Sequence, residues 1–293
     1  MSLGPHRAAA GDYLALYKPG ITVSAMVTAA WGVFESGQSV GLLTGIRAVA
    51  GVGLMVAAAG ALNMVFEADT DRQMPRTCAR PVACGHMSRL EAFVAAAAAG
   101  LAGTALLAGT GTWAAPLVSL LSVFVYACVY TPLKRLSPAA LAIGALPGAA
   151  PPMIAAIAVA GEVNGPALSL FCLLFLWQIP HFGGITIRRR AEYRQAGLRL
   201  APPEERIPLA VGGIRAASIL LMLTPIPLAV ACSWSLPVTL GMMGAAIPQV
   251  YTAFAPLQDA TAWGKRVFFG SLPYLPIVAV VMIVGSLLAG GAR

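Results

Sequence analysis

The chain has 293 residues, 58 % of them hydrophobic and 10 % charged, with a formal net charge of +8. A soluble domain carries about 25 % charged residues, so this chain lacks the charge to cover a water-facing surface, and its apolar runs belong in lipid. The positive charge does not point to nucleic acid: the basic residues sit in short loops between apolar spans, where orientation signals belong.

The first 17 residues are mixed, with His6, Arg7 and Asp12, and no small-residue cleavage pattern follows the first apolar run. A short cytoplasmic tail with no cleavable signal is therefore expected. Uncharged stretches follow at 21–34, 48–66, 92–133, 136–161, 163–187, 216–258 and 267–292. A crossing needs about 20 residues, so the two longest stretches each hold two. The first breaks at Gly109-Thr110-Gly111-Thr112. The second breaks between Ser233 and Pro237, with its first helix starting before Arg215. The first helix, the shortest, should start near Lys18 and run past Glu35. The reading is nine transmembrane helices in one continuous domain, 1–293, with no linker.

Charge supports that count. With nine spans, the tail and the even loops share one side, and that side collects Lys18, Arg72, Arg76, Arg80, Arg89, Lys134, Arg135, Arg188–Arg190, Arg194, Arg199, Arg206, Lys265 and Arg266, together with Arg7. The opposite side holds Arg47 and Arg293, and Arg215 falls within the seventh helix. The positive-inside rule makes the crowded side cytoplasmic. Five scattered cysteines (Cys78, Cys84, Cys128, Cys172, Cys232) read as small apolar fillers.

The second helix ends in Asn63, Glu67, Asp69, Asp71 and Arg72. Asn63, Glu67 and Asp71 lie four apart and form one stripe on a helix, whereas Asp69 is off it unless the helix has begun to unwind. Acids this close call for cations, and oxygen donors in this number suit Mg²⁺ with substrate phosphates. Arg72, Arg76 and Arg80 follow at the same spacing and supply phosphate grips. A surface salt-bridge patch is the plainer alternative, but ionisable groups at a membrane edge are usually functional.

The run Asn63-xxx-Glu67-x-Asp69-x-Asp71, then Arg76-Thr77-x-x-Arg80-Pro81 and Gly85, resembles the first signature of the UbiA-type intramembrane prenyltransferases. Tyr17-Lys18-Pro19, Tyr130-Thr131-x-Leu133-Lys134-Arg135, Trp177-Gln178-x-Pro180-His181-Phe182, Glu192-Tyr193-x-x-Ala196-Gly197 and Tyr274-Leu-Pro276 carry the likeness along the whole chain, toward the protohaem IX farnesyltransferase branch. In the second acidic region, where other branches carry two carboxylates, this chain offers Glu192 alone, and His86 stands in place of an expected arginine.

The resemblance implies a nine-helix bundle and a Mg²⁺-dependent transfer of farnesyl from farnesyl diphosphate to haem b, a substrate rather than a cofactor. It implies Asn63, Glu67, Asp69 and Asp71 as the catalytic set, and Asn63, Glu67, Asp71 and Glu192 as metal ligands. Arg72, Arg76, Arg80, Lys134, Arg135, Trp177, His181, Arg188, Glu192 and Tyr193 are the implied substrate contacts. It also implies a bacterial inner-membrane location, with haem A synthase or terminal-oxidase assembly as partner. His181 stands as an axial ligand to haem iron or as a hydrogen-bonded structural residue. Transfer to a quinone or aromatic-acid precursor is the alternative reaction, and the Trp177–Phe182 segment argues against it. An anion transporter would place its charges at the bilayer midplane, and a haem-holding assembly factor would not need the first motif.

Overall fold

The computed structural model describes residues 8–36, 40–231 and 233–290. His6, Arg7, Cys232 and Arg293 lie outside the described residues. Within them the chain is helical, with no strand.

A short helix α1 (Ala10–Leu16) leads through Lys18 into α2 (Pro19–Glu35). Then come α3 (Leu42–Arg72), the single turn α4 (Pro81–Cys84) and α5 (Arg89–Ala108). Next, α6 (Ala114–Phe124) widens into a π-helical stretch (Val125–Tyr130) and closes with α7 (Thr131–Leu133). Helices α8 (Ala140–Ala160) and α9 (Gly165–Arg188) are followed by the surface turn α10 (Arg190–Gln195). The last third holds α11 (Ile207–Leu223), α12 (Pro225–Ala231), α13 (Leu236–Ala245), α14 (Ile247–Ala253), α15 (Ala260–Ser271) and α16 (Tyr274–Gly290).

Seven helical segments among the described residues are long and apolar enough to cross a membrane: Leu42–Arg72, Arg89–Ala108, Ala114–Leu133, Ala140–Ala160, Gly165–Arg188, Glu204–Val230 and Ala260–Gly285. The expected nine thus stand as seven full spans and two shorter ones. The first expected helix is α2, whose 17 residues end at Glu35 rather than beyond it. The eighth is split into α13 and α14, with Pro248 in the first turn of the second piece. The expected breaks are present. Gly111 takes φ 95° between α5 and α6, and Ser233 takes φ 53° between α12 and α13. Arg215 lies inside α11, and its guanidinium donates to the Ala253 carbonyl at 3.0 Å, satisfying an acceptor at the end of α14.

With lipid outside, helix association depends on close packing, and small residues provide it. Gly32 of α2 sits against α8 so tightly that a Cβ there would fall 2.0 Å from the Pro152 carbonyl oxygen. Prolines 147, 151 and 152 lie within α8 and Pro180 within α9, which membrane helices tolerate when neighbours satisfy the freed groups. Gln178 does part of that work: it is buried, and its amide donates to the Ala145 and Leu174 carbonyls, tying α9 to α8.

Candidate active site

The charged residues gather where the C-terminal end of α3 meets α7, the Arg80 loop and the turn into α2. Helix α3 stays regular to Arg72, so the four-residue spacing holds and Asn63, Glu67 and Asp71 share its inward face, 2 %, 9 % and 3 % exposed. Each is met by a basic side chain. Lys134 Nζ lies 2.7 Å from Glu67 Oε1. Arg80 Nη1 donates to both Asp71 oxygens, at 2.9 and 2.8 Å. Lys18 Nζ donates to Asn63 Oδ1 at 2.7 Å, and the Asn63 amide passes a bond on to Glu67 Oε2 at 2.7 Å. Arg135 reaches Thr70 Oγ1 at 2.7 Å one turn along. Charges this buried persist only when paired and hydrogen-bonded.

Lys18 owes its position to a left-handed backbone, φ 47°, that turns α1 sharply into α2. Burial pulls its ammonium down to about 7, with the positive charges of Arg80 and Lys134 adding to the effect. Lys134 also stacks over the Tyr130 ring at 4.5 Å. Its carbonyl accepts from the Arg199 N–H at 2.9 Å, which latches the 189–201 segment onto this end. Tyr193 is buried there with Met74, Leu198 and Leu200, and burial raises its phenol.

Asp69 is not brought to the cluster. On a regular helix it falls off the stripe; its carboxylate is 63 % exposed and pairs with Arg89 at 2.5 Å and Arg72 at 3.5 Å. Arg72 in turn donates to the Ala83 carbonyl and supports α4. Glu192 is not joined to the α3 acids either. It pairs with Arg189 at 2.9 Å, a local i,i+3 contact that competes with any longer reach. Among the described residues no three His, Cys, Asp or Glu side chains gather to hold a metal ion, because the acids are spread along the helix and each is neutralised by a base. Arg76 is exposed, close enough for its charge to act on Tyr193. His86 faces Asp12 at 3.3 Å.

A second polar centre lies between α9 and α15. The two helices touch through glycines: a Cβ on Gly264 would lie 2.8 Å from both Arg188 N and Gly184 O. This contact brings His181 Nδ1 to 2.8 Å from Ser271 Oγ and Trp177 Nε1 to 2.8 Å from the Ser271 carbonyl. The His181 ring stacks on Trp177, with centroids 4.6 Å apart, and meets Phe268 at 5.0 Å. Arg188 caps the box over Phe268 and Phe269. Lys18, Thr70 and Ser271 take part without having been singled out from sequence. Lys18 alone carried a signal, as the basic residue of the Tyr17-Lys18-Pro19 run.

The chain matches the UbiA prenyltransferase family over residues 25–289. It is 32 % identical over 279 residues to the "Protoheme IX farnesyltransferase" of Anaeromyxobacter dehalogenans, covering 92 % of each chain. To the protein of the same name from Myxococcus xanthus it is 36 % identical over 274 residues, covering 91 % of each. Among solved structures, a UbiA homologue from Aeropyrum pernix superposes with a TM-score of 0.71 at 22 % identity, over 92 % of this chain and 97 % of that one. A UbiA homologue from Archaeoglobus fulgidus, bound to DMAPP and Mg²⁺, superposes with a TM-score of 0.66 at 16 % identity, over 92 % and 99 %.

Proposed function

The chain belongs to the UbiA prenyltransferase family, and we propose that it transfers the farnesyl group of farnesyl diphosphate to a vinyl group of haem b, giving haem O and diphosphate. The observation that carries the chemistry is the buried Asn63–Glu67–Asp71 face ringed by Lys18, Arg80 and Lys134. The relatives named for haem farnesylation, matched over nine-tenths of the chain, support haem b over a quinone precursor.

Asn63, Glu67 and Asp71 offer oxygen donors only, which fits Mg²⁺, an ion that binds through one or two carboxylates and completes its shell with phosphate and water. Bound there, Mg²⁺ would neutralise diphosphate oxygens and stabilise the leaving group. The chain's own cations do the rest. Lys134 and Arg80 are held on acids and Lys18 on the Asn63 amide oxygen in this structure, and with an anionic substrate all three turn to its phosphate oxygens. Arg135, and Arg76 on the loop before Arg80, add positive field from the rim, and Arg188 adds it from α9.

As the C1–O bond of farnesyl diphosphate breaks, negative charge grows on the bridging oxygen, and these groups, once turned to the bound diphosphate, meet it. The vinyl carbon supplies the electron pair for the new C–C bond at C1. Water then adds to the resulting cation and gives up a proton to solvent, leaving a hydroxyl. Farnesylation so balanced needs no oxidant. Early hydrolysis at C1 is opposed by the depth of the site, where Glu67 and Asp71 are almost fully buried.

The crowding of lysines and arginines at this end supports a cytoplasmic orientation for the site, in a bacterial inner membrane. Haem A synthase or an oxidase under assembly would take the product.

Purified protein incubated with haem b, farnesyl diphosphate and Mg²⁺ tests the reaction, with products resolved by mass spectrometry. Haem O is expected, and its formation should stop when EDTA removes the metal. Prenylation of a quinone precursor with haem b left unchanged would overturn the proposal.

A further inference from the structure

We infer that Ser271 is a positioning residue that locks His181 in its Nδ1-protonated tautomer, so that the bare Nε2 lone pair is presented to the iron of the acceptor. This rests on the reading that haem b is the acceptor.

Ser271 is fully buried at the last turn of α15, and three hydrogen bonds meet on it. Its Oγ lies 2.6 Å from the Phe268 carbonyl oxygen and 2.8 Å from His181 Nδ1. Its own carbonyl, left without a helical partner where α15 ends before Pro273, accepts from Trp177 Nε1 at 2.8 Å.

The proton assignment follows from counting. A carbonyl can only accept, so the single hydroxyl hydrogen of Ser271 goes to Phe268. The hydroxyl oxygen then offers His181 a lone pair, and Nδ1 must carry the hydrogen of that bond. A neutral imidazole has one ring N–H, so Nε2 carries none. The opposite tautomer would set two lone pairs against each other across 2.8 Å. Metal-binding imidazoles have this arrangement, with one nitrogen on the metal and the other donating to a fixed acceptor that sets ring orientation and raises basicity.

The ring is held as well as protonated. Trp177 stacks on it at 23° between planes, Phe182 meets it edge-on at 5.3 Å, and Phe268 closes the third side. Trp177 and His181 are both tied to Ser271, so one residue fixes the stack from its two ends.

The chain has three histidines, so the tautomer is directly measurable in ¹⁵N-histidine-labelled wild-type protein by solid-state NMR. The expected result is one imidazole, assigned to His181 by its loss in His181→Ala, with Nδ1–H and an unprotonated Nε2; the reverse tautomer overturns the inference. Haem b and a non-hydrolysable farnesyl diphosphate analogue are then titrated separately into wild type, His181→Ala, Ser271→Ala and Ser271→Thr. Ser271→Ala should weaken haem b binding about 10- to 100-fold and change its Soret and EPR signatures, with affinity for the diphosphate analogue unchanged. Ser271→Thr, which keeps the hydroxyl, should restore both. A normal haem spectrum in Ser271→Ala alongside an altered one in His181→Ala would overturn the role of Ser271 while leaving haem as acceptor. Equal loss of both ligands in Ser271→Ala, or a normal spectrum in His181→Ala, would also overturn it. Failure of the wild type to bind or farnesylate haem b would sink the underlying reading instead.

Discussion

Glu67 and Asp71 are buried acids, each met by a cation, whereas His181 is a half-buried ring met by a hydroxyl. The difference sets what each region tolerates. Removing one partner of a buried ion pair strands a charge and costs about 3–5 kcal/mol. Losing one neutral hydrogen bond costs about 1 kcal/mol on average. The paired cations of the α3 face can change partners when an anion arrives, because the arriving group brings compensating charge. The α9–α15 box has no such exchange open to it and acts as a fixed wall. On the proposed reaction, one region would be rearranged by its substrate and the other would hold its geometry.

The largest effect expected from this contrast is on turnover. Asp71→Ala should lower haem O formation about 10³-fold, with the protein still inserted in the membrane; activity within tenfold of wild type would remove Asp71 from the site. Next comes stability. Lys134→Met leaves Glu67 charged and unpaired, so unfolding in detergent should be easier by about 3–5 kcal/mol. Adding Glu67→Gln should recover much of that loss without recovering activity. If the single variant melts with the wild type, the pair is not the buried contact described. Gly264→Ala strikes the wall instead, forcing α15 off α9 near Arg188, at a cost of about 1–3 kcal/mol. Haem affinity should suffer before affinity for the diphosphate, and the opposite ranking in a two-ligand titration would break the contrast. The smallest effect belongs to Asp69→Asn. An exposed ion pair contributes about 0–1 kcal/mol, and turnover should stay close to wild type; a loss matching Asp71→Ala would restore Asp69 to the catalytic set.

The α3 face was legible because one helix carries it: residues four apart must share a side, and the same arithmetic placed Asp69 off it. The helix breaks were legible in Gly109–Thr112 and Ser233–Pro237, where small and turn-forming residues interrupt apolar runs. Partnerships across the bundle were not. Lys18 and Asn63 are 45 residues apart, and His181 and Ser271 are 90 apart, and neither spacing has any local meaning. Glu192 is the opposite case. Its motif gave no sign of the partner it has here, Arg189 three residues away. The count of nine spans depended on residue numbers that hydropathy cannot resolve, since α2 stops at Glu35 and Pro248 interrupts the eighth crossing.

The π-helical stretch at Val125–Tyr130 has a consequence for how this crossing can evolve. An α-helix turns about 100° per residue, and the wider turn takes up an extra residue, so the halves of the span are out of phase. Leu117, Leu120, Leu121 and Phe124 face outward before it. Beyond it, the buried Thr131 and Lys134 face Asn63 and Glu67. The stretch works as a phase shifter: the outer half can drift in sequence to suit the lipid it meets, while the angle at which Lys134 enters the bundle is set separately. Forcing the stretch into a regular α-helix at its full length would rotate Lys134 by about 100° and take it off Glu67, whereas deleting one residue between 125 and 130 should give a regular helix that keeps Lys134 on Glu67.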